Sequence, residues 1–328
     1  MAKPRITIVG LGLIGSSIGL GLSLEQRDFE IVGHDKDHTA AGQAKKLKAV
    51  DRTEWNLLSA CEGADLLILA LPLNAIQDTL RAVAGDLKRS CIIMDTASLK
   101  TPVVAWAEAL LPDSHAFIGT NPIVASPTGG GSAARANLFD RATWAVCPTA
   151  TTEETAVKTA VDLINRLGGR PLFLEAAEHD SMLAAVEHLP AFLSVTLMAS
   201  AAGQPGWREM RQLAGGQFES STHLLSADPQ ALTSIALNNL ENLSRWVGLY
   251  IERLQDWQRL LIAGDEDKLG AAIQGAVDQR NRWLAQRSAG QWEDIQSGEL
   301  PDKKMVYGSL LGMGRMFERR AKGKDEKK

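Results

Sequence analysis

The chain lacks the excess of positive charge that a polyanion binder needs: across 328 residues, 35 Lys and Arg stand against 39 Asp and Glu, a formal net charge of −4. With no global positive field to drive counterion release, nucleic acid is not an expected partner. Cysteine is scarce too. Cys61, Cys91 and Cys147 are odd in number and widely spaced, which argues against a disulfide framework and for free or buried thiols in a reducing compartment, hence the cytoplasm. No apolar run reaches the ~20 residues of a membrane span, and residues 1–5 lack the charged start, apolar stretch and cleavage site of a signal peptide. A membrane is therefore not an expected partner either.

What is present describes an ordinary globular protein, with 45% hydrophobic residues, 23% charged residues and 29 glycines, long enough for two domains. Short β-rich runs at residues 5–9, 30–33, 65–70, 91–94, 116–118 and 143–146 alternate with helical spacing at 16–24, 40–48, 75–84 and 101–110. Such alternation predicts an α/β domain with a doubly wound parallel sheet covered on both faces. A helix over 152–167 ends at Gly168-Gly169, a natural C-cap, and a last strand follows at 171–174. The expected first domain is residues 1–174.

Beyond residue 175 strand signals almost vanish, which predicts an all-α domain over 175–312 and a solvated basic tail over 313–328, with six Lys or Arg in its last ten residues. Asp228-Pro229 is a good helix start. The apolar stripe Leu232, Ile235, Leu243, Trp246, Tyr250, Leu254, Trp257 and Leu261 then predicts one long amphipathic helix. A second is expected over 265–287, and an earlier one over 179–201 should kink at Pro190. Helix faces of this half could pair two subunits, so a homodimer through the helical domain is the expected assembly.

Gly10-Leu11-Gly12-Leu13-Ile14-Gly15 matches G-x-G-x-x-G between a strand and a helix. The first glycine permits the tight turn, the second lets backbone approach a pyrophosphate, and the third lets helix and strand pack closely. The helix N-terminus supplies free N–H groups to the phosphates. Asp35 stands 20 residues after Gly15, at the end of the next strand, where a carboxylate accepts ribose hydroxyls of NAD and repels the extra phosphate of NADP. NAD is thus the expected cofactor and NADP the less favoured one, with Lys36 the neighbour that could tolerate the phosphate. Leu71 and Pro72 after the fourth strand, and Thr96 after the fifth, occupy carboxyl-end loops that line the crevice of an open parallel sheet.

Those loops also carry a resemblance. Asp95-Thr96-Ala97-Ser98-Leu99-Lys100 resembles the D-x-x-S-x-K segment of prephenate and arogenate dehydrogenases, and Gly119-Thr120-Asn121-Pro122-Ile123 is similar to their G-x-H-P-M segment. Glu178-His179-Asp180 and Glu187-His188-Leu189-Pro190 resemble their E-H-D and S-H-L-P-H segments, all in order across residues 5–290. The resemblance implies an N-terminal Rossmann domain, a helical C-terminal domain, and hydride transfer from the alcohol carbon of a cyclohexadiene acid to NAD(P), with carbon dioxide lost as the ring becomes aromatic. It implies tyrosine biosynthesis as the setting. Ser98, Asn121 and His188 are then the candidate catalytic residues, and Ser98, Lys100, Asn121, His188 and His223 the candidate substrate contacts.

Two positions depart from the family pattern. Its histidine is Asn121 here, which can accept a hydrogen bond but cannot act as a base near neutral pH. The arginine that would grip a carboxylate falls in Phe218-Glu219-Ser220-Ser221-Thr222-His223, which offers an imidazole instead. Three readings follow: catalysis on prephenate or arogenate with His188 or His223 as proton acceptor, catalysis on a related ring acid such as 4-amino-4-deoxyprephenate, or a non-catalytic NAD-binding regulatory protein. No metal is expected, because His179 and His188 are nine residues apart and about half a turn out of phase on a regular helix. Residues 126–132 lack the G-x-S-x-G and P-loop patterns and read as a loop beside the pocket.

Overall fold

The structure, a computed structural model, describes residues 3–24, 28–112, 115–124, 130–226 and 228–290. The basic tail, the last part of the expected helical domain and residues 126–129 of the pocket loop lie outside the described residues. Eight strands form one sheet: β1 Arg5–Val9, β2 Glu30–His34, β3 Arg52–Thr53, β4 Leu66–Leu69, β5 Ile92–Asp95, β6 Ala116–Pro122, β7 Thr143–Cys147 and β8 Arg170–Phe173. Between and beyond them run α1 Leu13–Leu22, α2 His38–Lys46, α3 Leu57–Cys61, α4 Leu73–Val83, α5 Thr101–Leu110 and α6 Glu154–Arg166. The helical half adds α7 Ala176–Leu183, α8 Leu189–Ala202, α9 Trp207–Leu213, α10 Gly216–Thr222, α11 Pro229–Asn238, α12 Leu240–Ala263 and α13 Glu266–Ala289.

The strand order is β3-β2-β1-β4-β5-β6-β7-β8, so the chain reverses direction across the sheet between β1 and β4, the switch point at which open α/β sheets bind ligands. Strand alternation fills both faces. Ile8 and Ile68 join Ile18 and Leu22 of α1 and Ala160 and Ile164 of α6 on one side. Val9, Leu67 and Leu69 join Ile76 and Leu80 of α4 and Val103 of α5 on the other. Because both faces are covered, β4 is buried at every position, the continuous apolar strand of a parallel sheet.

The sheet is parallel except where β6 meets β7, whose pairing is antiparallel. The doubly wound parallel sheet expected from the sequence thus carries one antiparallel pairing. A parallel return needs a long crossover, and among the described residues no α-helix lies between β6 and β7. The apolar run of β7 signals burial but carries no direction. β6 is also longer than expected: its first half pairs with β5, and Gly119, Thr120, Asn121 and Pro122 pair with β7.

The long helix expected after Asp228-Pro229 is two, α11 and α12, broken at Asn239, which leaves helical geometry at φ −140 and ψ 36. The break lets the buried Asn239 side chain donate through Nδ2 to the Asp180 carbonyl (3.0 Å) while its Oδ1 accepts from Asn242 (2.9 Å). Tertiary hydrogen bonding overrides the apolar period there. Near Pro190 the irregularity is a π-turn over Ala184–His188, after which α8 begins with Pro190 in its first turn, where a missing N–H is tolerated. The run 176–202 is long and apolar enough by composition to cross a membrane, but it carries His179, Asp180 and His188, all buried in the protein.

By compactness the chain divides at Trp246, into units 1–246 and 247–328. The change from strands to helices near residue 174 and the change of compact unit are therefore different boundaries. In the second unit α13 is capped by Asp265, whose side chain accepts from Lys268 N, and ends at Gly290 in the left-handed region. All three cysteines are free and buried, and burial pushes each thiol up to about 12.

Candidate functional site

The glycine loop sits at the switch point. Gly10 has φ +94, and a Cβ there would lie 2.2 Å from the Ala70 carbonyl oxygen, so the turn after β1 requires glycine. A Cβ on Gly15 would lie 1.9 Å from the Gly10 carbonyl oxygen, while one on Gly12 would meet nothing within 4 Å. The first and third glycines thus answer to the fold. The second faces open space at the start of α1, which has no side-chain cap and no acidic residue in its first turn. Free N–H groups beside an open backbone surface fit a pyrophosphate.

Asp35, half-buried just beyond β2, accepts from Leu11 N through Oδ2 (2.7 Å) and from Asp37 N through Oδ1 (2.8 Å). The carboxylate therefore braces the glycine loop and retains lone pairs for a further donor. Leu11 is buried in the core, and Leu13 and Ile14 open α1 and pack partly against the same core. Leu71 stands beside Gly10 across the switch point, exposed Pro72 is the N-cap of α4, and Thr96 N donates to Leu69 O (3.1 Å).

A second cluster stands at the carboxyl ends of β5 and β6. Lys100 and Asp95 are both 0% exposed and form an ion pair. The ammonium also donates to the Thr120 carbonyl (2.6 Å), and Asp95 accepts from the amides of Ala97 (2.9 Å) and Thr120 (3.1 Å). Burial pushes the Asp95 carboxyl up, against the pull of Lys100 and these amides. The Lys100 side chain is consumed within the protein, so it acts as a strut beneath the neighbouring loops. Ser98, half-buried, makes no hydrogen bond among the described residues.

Asp180 of α7 ties the helices to the sheet. Its Oδ1 accepts from Lys100 N (2.7 Å) and its Oδ2 from Thr101 N (2.8 Å), capping α5, which lacks a local side-chain cap. It also accepts from His179 Nδ1 (2.9 Å). Burial alone would raise the Asp180 carboxyl, but the His179 ring and the two amides outweigh it and hold it below the usual carboxylate value. The other ring nitrogen of His179, Nε2, meets Asn121 Nδ2 at 3.1 Å. Asn121, His179 and Asp180 thus form one buried chain of contacts.

His188 is 3% exposed, and neither ring nitrogen has a hydrogen-bond partner among the described residues. Burial pushes its pKa down to about 4, against the pull of the nearby Asp180 charge and with a small push from His179, so the ring is neutral at neutral pH. The π-turn explains why it shares a neighbourhood with His179: one extra residue in a turn takes back about 100° of the phase that separates them on a regular helix. Glu187 is open to solvent yet surrounded by enough protein to push its carboxyl up to about 7.

Lys100 and Asn121 are thus linked through Asp180 and His179, and the Asp180 charge acts on His188, while Ser98 lies two residues before Lys100 in the loop after β5. His223 is exposed at the start of a 3-10 turn after α10 and hydrogen-bonds none of them among the described residues. Its segment is anchored on α8 by Ser194 Oγ, which donates to Ser221 O (2.7 Å). Sequence reasoning missed His179 and Asp180 as functional positions, although the E-H-D segment that contains them was the available signal.

Comparison with known proteins bears on this geometry. Residues 18–172 match the family model for the nucleotide-binding domain of prephenate dehydrogenase, and residues 175–275 match that for its dimerization domain. The prephenate dehydrogenase of Lactococcus lactis is 32% identical over 260 residues, covering 78% of this chain and 69% of that one. The cyclohexadienyl dehydrogenase of Zymomonas mobilis is 28% identical over 267 residues, covering 81% and 91%. The crystal structure of Aquifex aeolicus prephenate dehydrogenase in complex with hydroxyphenyl propionate and NAD+ has the same fold, with a TM-score of 0.78 at 21% identity over 86% of this chain and 99% of that chain.

Proposed function

The chain belongs to the prephenate dehydrogenase family, and on that premise we propose that it catalyses the NAD-dependent oxidative decarboxylation of prephenate or arogenate in tyrosine biosynthesis. The observation that carries the reading is that Asn121, in the last part of β6, is tied through His179 to Asp180, which holds the loop after β5 that carries Ser98 and lies close enough to the buried His188 of the π-turn for its charge to act on that ring. Gly10, Gly12 and Gly15 with the N-terminus of α1 would hold the pyrophosphate, and Asp35 the ribose, favouring NAD over NADP. NAD, when bound, supplies the hydride acceptor.

The reaction needs no net proton removal. Hydride leaves the alcohol carbon, the carboxylate on the opposite ring carbon releases its bonding pair into the ring as carbon dioxide departs, and the hydroxyl keeps its hydrogen in the phenol product. A fixed acceptor for that hydroxyl is enough to hold the ring and spread the positive charge that grows on it. Asn121 Oδ1 supplies this acceptor without titrating, and the hydroxyl of Ser98, in the loop after β5, is uncommitted among the described residues. His188, with a pKa of about 4, is a poor base at neutral pH but a competent N–H donor. It takes a substrate carboxylate, the partner that its two empty nitrogens lack, and the anion then raises its pKa. Lys100 acts through Asp95 and Thr120, and exposed His223 is the remaining candidate substrate contact.

An amine on the ring would donate to Asn121 Oδ1 as well as a hydroxyl does, so 4-amino-4-deoxyprephenate is the second reading that Asn121 favours. We place the nucleotide-binding domain at residues 1–174 and the substrate and dimerisation domain at 175–312. For the expected homodimer we take the exposed apolar side chains Val247, Ile251, Leu254 and Leu261 on one face of α12 as the surface, and the cytoplasm as the compartment. Stoichiometry tests the reaction: one carbon dioxide per NADH supports it, and NADH without carbon dioxide contradicts it.

A further inference from the structure

Asparagine at position 121 can face a ligand with either end of its amide, as an acceptor through Oδ1 or a donor through Nδ2, and the two ends bind opposite chemistry. The buried pair behind it decides which. Asp180, anionic and already accepting two backbone amides, leaves its contact to His179 Nδ1 only one sense: the imidazole donates. His179 is 0% exposed, and a ring protonated on one nitrogen presents a lone pair at the other. Nε2 is therefore an acceptor, and Asn121 Nδ2, 3.1 Å away, donates to it. The reverse orientation would turn Oδ1 towards Nε2 and demand a second proton, hence a fully buried cation.

We propose that His179, held by Asp180, is a positioning residue that fixes the Asn121 amide with its oxygen towards the substrate, so that this pocket selects a ring substituent that donates a hydrogen bond. The inference rests on the reading of Asn121 as the ring acceptor. It also gives the histidine-to-asparagine exchange a physical account: the buried imidazole of His179 supplies rigidity behind an amide that does not titrate.

Two measurements separate the pair from the reading it rests on. Nitrogen-15 NMR of histidine-labelled parent protein, without substrate, should show His179 protonated at Nδ1 only. A proton at Nε2 overturns the proposal whatever the enzyme turns over. Second, His179→Phe should lower kcat about tenfold or more with KM for NAD unchanged, and His179→Gln, whose Oε1 can accept from Nδ2, should recover much of it. In an Asn121→Ala background His179→Phe should cost nothing further. An equal cost in both backgrounds means a merely structural histidine and overturns the proposal. If the Nδ1 tautomer is found but no cyclohexadiene acid turns over, the functional reading fails while the pair stands.

Discussion

Lys100 and Asp180, 80 residues apart in the chain, are joined by a 2.7 Å hydrogen bond from the Lys100 amide to the Asp180 carboxylate. Thr101 N donates to the other carboxylate oxygen, so α5 receives its N-cap from α7. Asp180→Ala should therefore destabilise the protein by about 1–3 kcal/mol, the cost of leaving capped, buried amides without an acceptor. Urea denaturation followed by circular dichroism checks this. An unchanged midpoint would mean that the cap is dispensable.

The buried neutral His188 predicts a pH dependence of stability. Its pKa in the folded protein, about 4, lies below the ordinary 6.5, so the unfolded chain binds the proton first as pH falls. Stability is fully present above pH 6.5 and is lost down to about pH 4, by roughly 3 kcal/mol. His188→Gln should flatten that part of the curve. A parent curve flat between pH 7 and pH 4.5 would contradict a neutral, desolvated ring.

The glycine loop separates fold from ligand. Gly15→Ala would drive its Cβ against the Gly10 carbonyl oxygen and should cost about 1–3 kcal/mol of stability. Gly12→Ala meets open space, so its melting temperature should stay within a few degrees of the parent's while NAD affinity falls. Calorimetric titration with NAD alongside thermal melting distinguishes the two. Unaltered NAD affinity in Gly12→Ala would remove the pyrophosphate from this loop.

For Lys100 the prediction is structural. Lys100→Met leaves Asp95 buried without its counter-ion, and breaking such a pair costs about 3–5 kcal/mol. The expected result is a large fall in the urea midpoint. Unchanged stability with a raised KM for the ring acid would instead make Lys100 a direct substrate contact.

Much of this architecture was legible in the residues because it follows from local pattern. The two-sided burial of β4, the strand-glycine-helix opening at Gly10 and the placement of Asp35 all lie within short windows. What lay outside reach depends on distant partners. Nothing near Asn239 signals that its side chain is needed at the Asp180 carbonyl, so the apolar stripe read as one helix. The direction of β7 is not encoded in its apolar side chains. His179 and His188 fell on opposite faces by counting, and only the π-turn between them brings them to one neighbourhood. The contact of His179 with Asn121 spans 58 residues, and the motif that contains it marked the family without revealing its task.

The central claim is that Asn121 supports family chemistry. Purified protein given NAD with prephenate, arogenate or 4-amino-4-deoxyprephenate in parallel, with NADH formation followed by absorbance, tests it most directly. Turnover on prephenate or arogenate is expected, and the faster of them is the substrate; turnover on 4-amino-4-deoxyprephenate alone would move the assignment to that ring. Tight NAD binding with no turnover on any of the three would contradict the account and leave a nucleotide-sensing protein.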